Sequence, residues 1–141
     1  MSTIKRFEEI DAWQTARKLG SYVYLLSSKG TFAHDFALRD QMRRAAVSII
    51  SNIAEGFESR TAPLFIEFLG RAKGSAGELR AQAYIALDAG HITSIEFQKL
   101  LMGCELCSGQ ISRFMTYLQA RIKSQPAKNK SAKEPMGPVD R

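Results

Sequence analysis

The chain has little of what small secreted proteins or membrane proteins depend on. Its 141 residues include two cysteines, too few to build a disulfide framework. No apolar run approaches the length that crosses a bilayer, and the first nine residues lack the apolar stretch of a secretory signal. We therefore expect a cytoplasmic protein without a membrane segment. The composition, 45% hydrophobic and 24% charged, predicts one soluble globular domain with its own core.

Prolines and aromatic residues are distributed unevenly. Residues 124–141 hold three of the four prolines and no aromatic residue, so they cannot bury enough surface to offset their ordering entropy. We expect a disordered basic tail there and a folded body at 1–123. The body contains sixteen basic and twelve acidic residues, a surplus that is compatible with nucleic-acid binding but common in proteins that bind none.

Helix start and stop signals divide the body, and no segment alternates with the period of a strand. Asp11 with Gln14 is a candidate capping box for a first helix over residues 11–28, which Gly30 closes. The next stretch without proline predicts a second helix over residues 35–57.

Similar start and stop signals predict two further helices. Thr61 is a suitable N-cap for a third helix, because Pro63 falls in the first turn, and Gly90 ends that helix. Thr93 and Glu96 form a capping box for a fourth. Four long helices with short connections predict an all-α, antiparallel up-down-up-down four-helix bundle.

The second and third helices have more apolar or smooth surface than one bundle needs to bury. Apolar residues cover about 200° of the second helix. On the third, Gly70, Gly74, Gly77 and Ala81 fall within about 60° of one another, opposite the core face. Each glycine costs a helix about 1 kcal/mol relative to alanine, so a close contact should compensate. We interpret this strip as a homo-oligomer interface. A solvated face, close packing within the chain and contact with a nucleic-acid backbone are the alternatives.

Two helices carry motifs of a known family. The second contains Arg43-Arg44-Ala45-Ala46 and Asn52-Ile53-Ala54-Glu55-Gly56, and the third contains Phe65-x-x-Phe68-Leu69 and Gly74-Ser75-x-x-Glu78-Leu79. Over about residues 7–120 the chain resembles the 23S ribosomal RNA intervening-sequence protein family, also called the four-helix bundle protein family. The resemblance implies a left-handed bundle that assembles into a ring-like homopentamer, encoded in some bacteria within insertions in ribosomal RNA genes. A more distant relative is the accessory protein of diversity-generating retroelements, which works with a reverse transcriptase and its RNA.

The polar residues of these helices allow two interpretations. The first is a structural polar network between helices or subunits, formed by Asp40, Arg44, Ser48, Asn52, Glu55 and Glu78. The second is a surface that contacts RNA phosphates, formed by Arg39, Arg43, Arg60, Lys73 and Arg80. The aromatic residues fall on core faces or are scattered, so the sequence predicts no platform for stacked bases.

The sequence offers no catalytic, metal or cofactor site. Cys104 and Cys107 lie mid-helix without a second pair, so we expect buried structural thiols. Neither His34 nor His91 has a nucleophile partner by spacing. We therefore expect a non-enzymatic homo-oligomeric scaffold that binds structured RNA or a ribonucleoprotein. The alternative is a protein-interaction ring that serves a reverse transcriptase as accessory subunit.

Overall fold

The computed structural model describes residues 3–124, which contain four α-helices and no strand. The helices are α1 (Asp11–Ser27), α2 (Phe36–Glu58), α3 (Ala62–Asp88) and α4 (Ser94–Lys123), with short 3-10 turns at Phe7–Glu9 and Gly30–His34. The all-α prediction is confirmed, and each helix lies close to its predicted bounds. The predicted basic tail, from residue 125 onward, lies outside the described residues.

Side-chain caps fix the starts of α3 and α4 where the sequence predicts them. Thr61 Oγ1 accepts a hydrogen bond from the Leu64 amide at 3.2 Å, and Pro63 lies in the first turn of α3. At α4, Thr93 Oγ1 accepts from the Glu96 amide at 3.1 Å, and Glu96 Oε1 accepts from the Thr93 amide at 2.9 Å. Each bond satisfies an amide that the helix itself leaves without a partner.

The predicted capping box of α1 is wrong. Asp11 is the first helical residue rather than the cap, and Ile10 at the cap position makes no side-chain hydrogen bond. The Gln14 side chain instead donates to the Glu8 carbonyl at 2.8 Å. Ile10 is only 3% exposed, so its burial after the turn at Phe7–Glu9 sets where α1 begins.

The four helices enclose one core, as expected of a four-helix bundle. Helices α1 and α3 each pack against both α2 and α4, so consecutive helices are neighbours. The largest side chains that are fully buried come from every helix and from the connection after α1: Val23, Phe32, Met42, Ile49, Ile53, Leu69, Leu79, Leu100 and Ile111. Leu106 of α4 lies outside this core and is 52% exposed. None of the helices within residues 3–124 is long and apolar enough to cross a membrane.

The unequal lengths of the helices leave one end of the bundle incompletely covered. With 17 residues against 30, α1 is about 25 Å long and α4 about 45 Å. The start of α1 lies beside the middle of α4, because Cys107 Sγ is 3.7 Å from the Ala12 carbonyl oxygen. The last turns of α4 therefore extend past α1, and the segment before α1 lies there instead, with Ile4 packed against the core.

Candidate nucleic-acid interface

Arg39, in the first turn of α2, is engaged by its own surroundings. Its Nη1 donates to the Ala33 carbonyl at 3.0 Å, and its Nε donates to Asp40 Oδ1 at 3.0 Å. The guanidinium also lies over the Phe36 ring, 4.8 Å from the centroid. These contacts hold the connection between α1 and α2 against the start of α2.

Arg43, one turn further along α2, closes the same connection from the other side. Its Nε donates to Ser27 Oγ at 2.8 Å and its Nη2 donates to Ser28 Oγ at 3.1 Å. Its guanidinium lies 4.5 Å from the centroid of the Tyr24 ring. Ser27 is a fully buried polar residue whose hydroxyl donates to the Tyr24 carbonyl at 3.5 Å, and Arg43 supplies the donor to the hydroxyl oxygen. Both arginines thus have structural roles.

The other three predicted phosphate contacts are Arg60, after the end of α2, and Lys73 and Arg80 on α3. Arg80 pairs with Glu105 across α3 and α4 at 3.4 Å, whereas Arg60 and Lys73 are exposed and form no ion pair within residues 3–124. Arg60 follows the end of α2, about 30 Å from Arg39 at its start. The five residues therefore do not form a single patch on one chain.

The structure joins two of the six residues predicted to form a polar network. Ser48 Oγ of α2 lies 2.8 Å from Ser75 Oγ of α3, and Asn52 Nδ2 donates to Ser48 Oγ at 3.0 Å. Asp40 instead pairs with Arg39. The remaining three, Arg44, Glu55 and Glu78, are exposed and form no side-chain hydrogen bond within residues 3–124. A network between subunits stays a prediction.

The small-residue strip of α3 is largely uncovered in the single chain. Gly74, Gly77 and Ala81 are exposed, and a Cβ built on either glycine would meet nothing within 4 Å. At Gly70 a Cβ would be 3.9 Å from the Met115 methyl group. Close packing within the chain therefore does not explain these glycines.

The structure reveals an aromatic cluster that the sequence did not predict. The ring centroids of Phe57 and Phe65 are 6.1 Å apart, those of Phe65 and Phe114 are 5.3 Å apart, and those of Phe114 and Tyr117 are 6.0 Å apart. These rings come from α2, α3 and α4 and line a cleft of about 470 Å³. Spacing along a helix could not reveal the cluster, because it forms where three helices converge. The expectation that no aromatic platform exists is thus corrected for this end of the bundle.

His91 also has partners that spacing did not reveal. Its Nε2 is 2.9 Å from Asp35 Oδ2, its Nδ1 is 2.8 Å from Thr31 Oγ1, and its ring stacks on Phe32 at 5.2 Å. With Asp35 ionised, Nε2–H donates to the carboxylate, and Nδ1 shares a hydrogen bond with the threonine hydroxyl. This order of groups also occurs in nucleophilic hydrolases. Here it ties the connection after α1 to the connection after α3.

Asp35 has two structural tasks at once. Besides its bond to His91, it accepts a hydrogen bond from the Leu38 amide at 3.2 Å, which caps α2. The bond from His91, followed by that from the Leu38 amide, lowers the pKa of the Asp35 carboxyl group from its ordinary value. The carboxylate is therefore stabilised in its charged form.

Comparison with known proteins identifies the family. Residues 8–113 match the family described as 23S rRNA-intervening sequence protein. The chain belongs to this family. The match extends from just before α1 through the first two thirds of α4. It therefore includes α2 and α3, whose motifs carry the resemblance.

A solved structure shares the fold of this intervening-sequence protein. A crystal structure of a protein of unknown function from Bacteroides thetaiotaomicron, assigned to the S23 ribosomal protein family, matches with a TM-score of 0.69. The two are 17% identical, and the match covers 74% of this chain and 95% of the other. At that identity the likeness supports the fold alone. No curated protein matches the sequence.

The two thiols of this intervening-sequence protein lie in its core. Cys104 and Cys107 are both buried and free, and burial raises the pKa of each to about 12. A thiol with so high a pKa is almost entirely protonated at neutral pH and is a poor nucleophile or metal ligand. Within residues 3–124 no group of three or more histidine, cysteine or acidic side chains could hold a metal ion.

Proposed function

We propose that the protein is a non-enzymatic homo-oligomer that binds structured RNA through basic side chains that its own fold does not use. The observation that carries the proposal is the contrast among the predicted cations. Arg39, Arg43 and Arg80 are occupied by their own chain, whereas Arg60 and Lys73 are exposed without an ion pair in the described part. Exposed, unpaired cations are what phosphate contacts need.

Assembly makes this modest surface effective. Arg60 and Lys73 alone would bind RNA weakly from a single chain, but a ring repeats them around its axis. Once one subunit has bound, the others meet the same RNA at a high effective concentration. The proposal therefore couples RNA binding to oligomerisation.

The uncovered strip on α3 supports a subunit interface. The smooth surface around Gly74 and Gly77 is flanked toward the end of α3 by Tyr84 and Ile85, which are 46% and 56% exposed. A neighbouring helix could approach this backbone closely and cover both side chains. Replacing Gly74 and Gly77 together by leucine should therefore reduce the particle mass in light scattering, and an unchanged assembly would remove this argument.

Filter binding with structured RNA at several salt concentrations tests the RNA proposal. Retention should fall steeply between about 50 and 200 mM salt, because released counterions dominate phosphate binding. Lys73→Gln should weaken retention by about two- to threefold at low salt. Arg71→Gln is the matched control on the same helix, since Arg71 pairs with Glu67 at 3.1 Å. No retention even at the lowest salt would reject RNA binding.

A second candidate is a protein-interaction ring that serves a reverse transcriptase as accessory subunit. The exposed apolar side chains of α4 favour it: Ile95 is 70% exposed, Met102 65% and Leu106 52%. On this alternative, a stable oligomer fails to retain RNA alone. Leu106→Gln would then weaken the copurification of a reverse transcriptase without changing filter binding.

A further inference from the structure

The cleft at the aromatic cluster lies between the turn from α2 to α3 and the last turns of α4. Its volume of about 470 Å³ falls within the range of small-molecule sites. The cleft exists because α1 begins too late to fill this corner, and Thr3 and Ile4 lie along its edge. It is thus a product of helix length, present in each copy of the chain.

One side of the cleft offers aromatic surface. Phe65 is buried and forms the floor, whereas Phe114 and Tyr117 on α4 are half-buried and present part of their rings to the opening. Their planes are tilted by 34°, so one flat ligand can lie against either ring. A nucleobase is a flat group that stacks on such rings irrespective of its sequence.

The rim of the cleft is positively charged. Arg60 and Arg121 lie on it, and among the described residues that line the cleft none is acidic. Neither guanidinium forms an ion pair within residues 3–124. Arg121 does contact Tyr117, because its Nη1 donates to the hydroxyl at 3.4 Å and its guanidinium carbon lies 5.8 Å from the ring centroid. Thr61 and Ala62, at the positive N-terminal end of α3, complete this side.

The neighbouring cleft lacks this charge pattern. It shares Phe114 and Tyr117 with the first and is about 330 Å³ in volume, but Glu9 and Asp11 line it together with Arg113. Two carboxylates against one guanidinium would repel a phosphate. The difference selects the cleft between Arg60 and Arg121 as the one suited to an anion.

We propose that this cleft binds one unstacked nucleotide, with the base against Tyr117 and Phe114 and the phosphate between Arg60 and Arg121. The inference rests on the proposed RNA binding and names where a single-stranded nucleotide is held. A base inside a duplex is covered on both faces, so only a loop, a bulge or an end of an RNA fits. A free nucleoside monophosphate has the same chemistry.

The test measures binding of adenosine 5′-monophosphate, adenosine and inorganic phosphate to the full chain by calorimetry. The double variant Arg60→Gln/Arg121→Gln should weaken the nucleotide by about tenfold or more and leave adenosine unchanged, because only phosphate contacts are lost. Tyr117→Leu should weaken both the nucleotide and adenosine by about fivefold or more. Arg71→Gln, which removes a cation that pairs with Glu67 outside the cleft, should change none of the three. Thermal melts monitored by circular dichroism verify that each variant folds.

Two further measurements distinguish an RNA segment from a free nucleotide as the ligand, and distinguish failure of the cleft proposal from failure of the proposed RNA binding. A short single-stranded oligoadenylate that binds more tightly than the monophosphate, and is weakened by the same variants, identifies an RNA segment as the ligand; a monophosphate that binds equally well identifies a free nucleotide. If structured RNA is retained but the cleft variants alter neither RNA nor nucleotide binding, the cleft proposal is overturned and RNA binding stands. If no RNA is retained, the proposed function fails, whatever the nucleotide result.

Discussion

The two ends of the bundle use similar side chains in opposite ways. At the histidine end, formed by residues 27–43 and 88–94, Arg39, Arg43, Asp35 and His91 are all bound to neighbours in the same chain. At the cleft end, formed by residues 57–65 and 114–121, Arg60 and Arg121 have no carboxylate partner in the described chain. Charged side chains that are paired at the histidine end stabilise the fold, whereas Arg60, and Arg121 with only its contacts to Tyr117, keep guanidinium donors available to a ligand. Residue type alone therefore does not identify a binding arginine.

The largest effect that we expect concerns added volume at the cleft end. In Gly56→Ala, the new methyl group would lie 2.7 Å from Phe65 Cδ1 and 2.9 Å from Phe68 Cβ. Since Phe65 is buried, α2 and α3 must move apart, which should lower the free energy of unfolding by about 3 kcal/mol. Urea denaturation measures this. Gly109→Ala is the control, because its methyl would meet only the flexible end of Arg113 at 3.4 Å. Equal stability of the two variants would refute tight packing beside the cleft.

The histidine end should depend on one imidazole. His91→Ala removes the link between Asp35 and Thr31 and the stacking on Phe32, so we expect a loss of about 2 kcal/mol in unfolding free energy. His34→Ala is the matched control, since His34 is exposed and makes no side-chain hydrogen bond within residues 3–124. Thermal melts of both variants decide the matter. If the His34 variant were as unstable as the His91 variant, the link would have no special role.

Arg43 and Arg60 should affect different properties of the protein, stability and RNA binding respectively. Arg43→Gln should lower the unfolding free energy by about 1 kcal/mol, because the buried Ser27 oxygen loses the hydrogen bond from Arg43, and should leave RNA retention unchanged. Arg60→Gln should leave stability unchanged and reduce the salt dependence of RNA binding by about one phosphate contact. Urea denaturation and filter binding measure stability and RNA retention for each variant. A loss of stability in Arg60→Gln without any change in RNA binding would contradict the proposed role of Arg60.

The smallest expected effect is the contribution of ionised Asp35 to stability at acid pH. The pKa of Asp35 is lowered in the folded chain, so its contribution to stability is fully present above the ordinary pKa of a carboxyl group. That contribution is lost as the pH falls through the lowered value. Asp35→Asn can still cap α2, yet its stability should depend less on pH in that range. Melting temperatures between about pH 2 and 6 test this, and identical pH profiles would contradict it.

The sequence predicted the helices well because their signals are local. Thr61, Pro63, Thr93 and Glu96 act within one turn, and the structure uses each as predicted. The capping box of α1 was predicted wrongly because burial of Ile10, a tertiary effect, overrides the local signal at Asp11. Local patterns therefore succeed where a residue acts on its own helix.

The candidate sites were harder to predict because they join distant parts of the chain. The aromatic cluster combines three helices, and His91 lies 56 residues from Asp35. The sequence did identify Arg60, but not that Arg121 lies across the same cleft from it. Similarly, it could not distinguish the engaged guanidinium of Arg43 from a free one, since the difference depends on Ser27 of another helix.

The buried thiols of Cys104 and Cys107 provide a natural reporter of breathing motions. Cys107 faces the backbone of α1 at Ala12, so a thiol reagent reaches it only after α1 separates from α4. The rate of alkylation by iodoacetamide, measured against that of the unfolded chain, would give the free energy of this local separation.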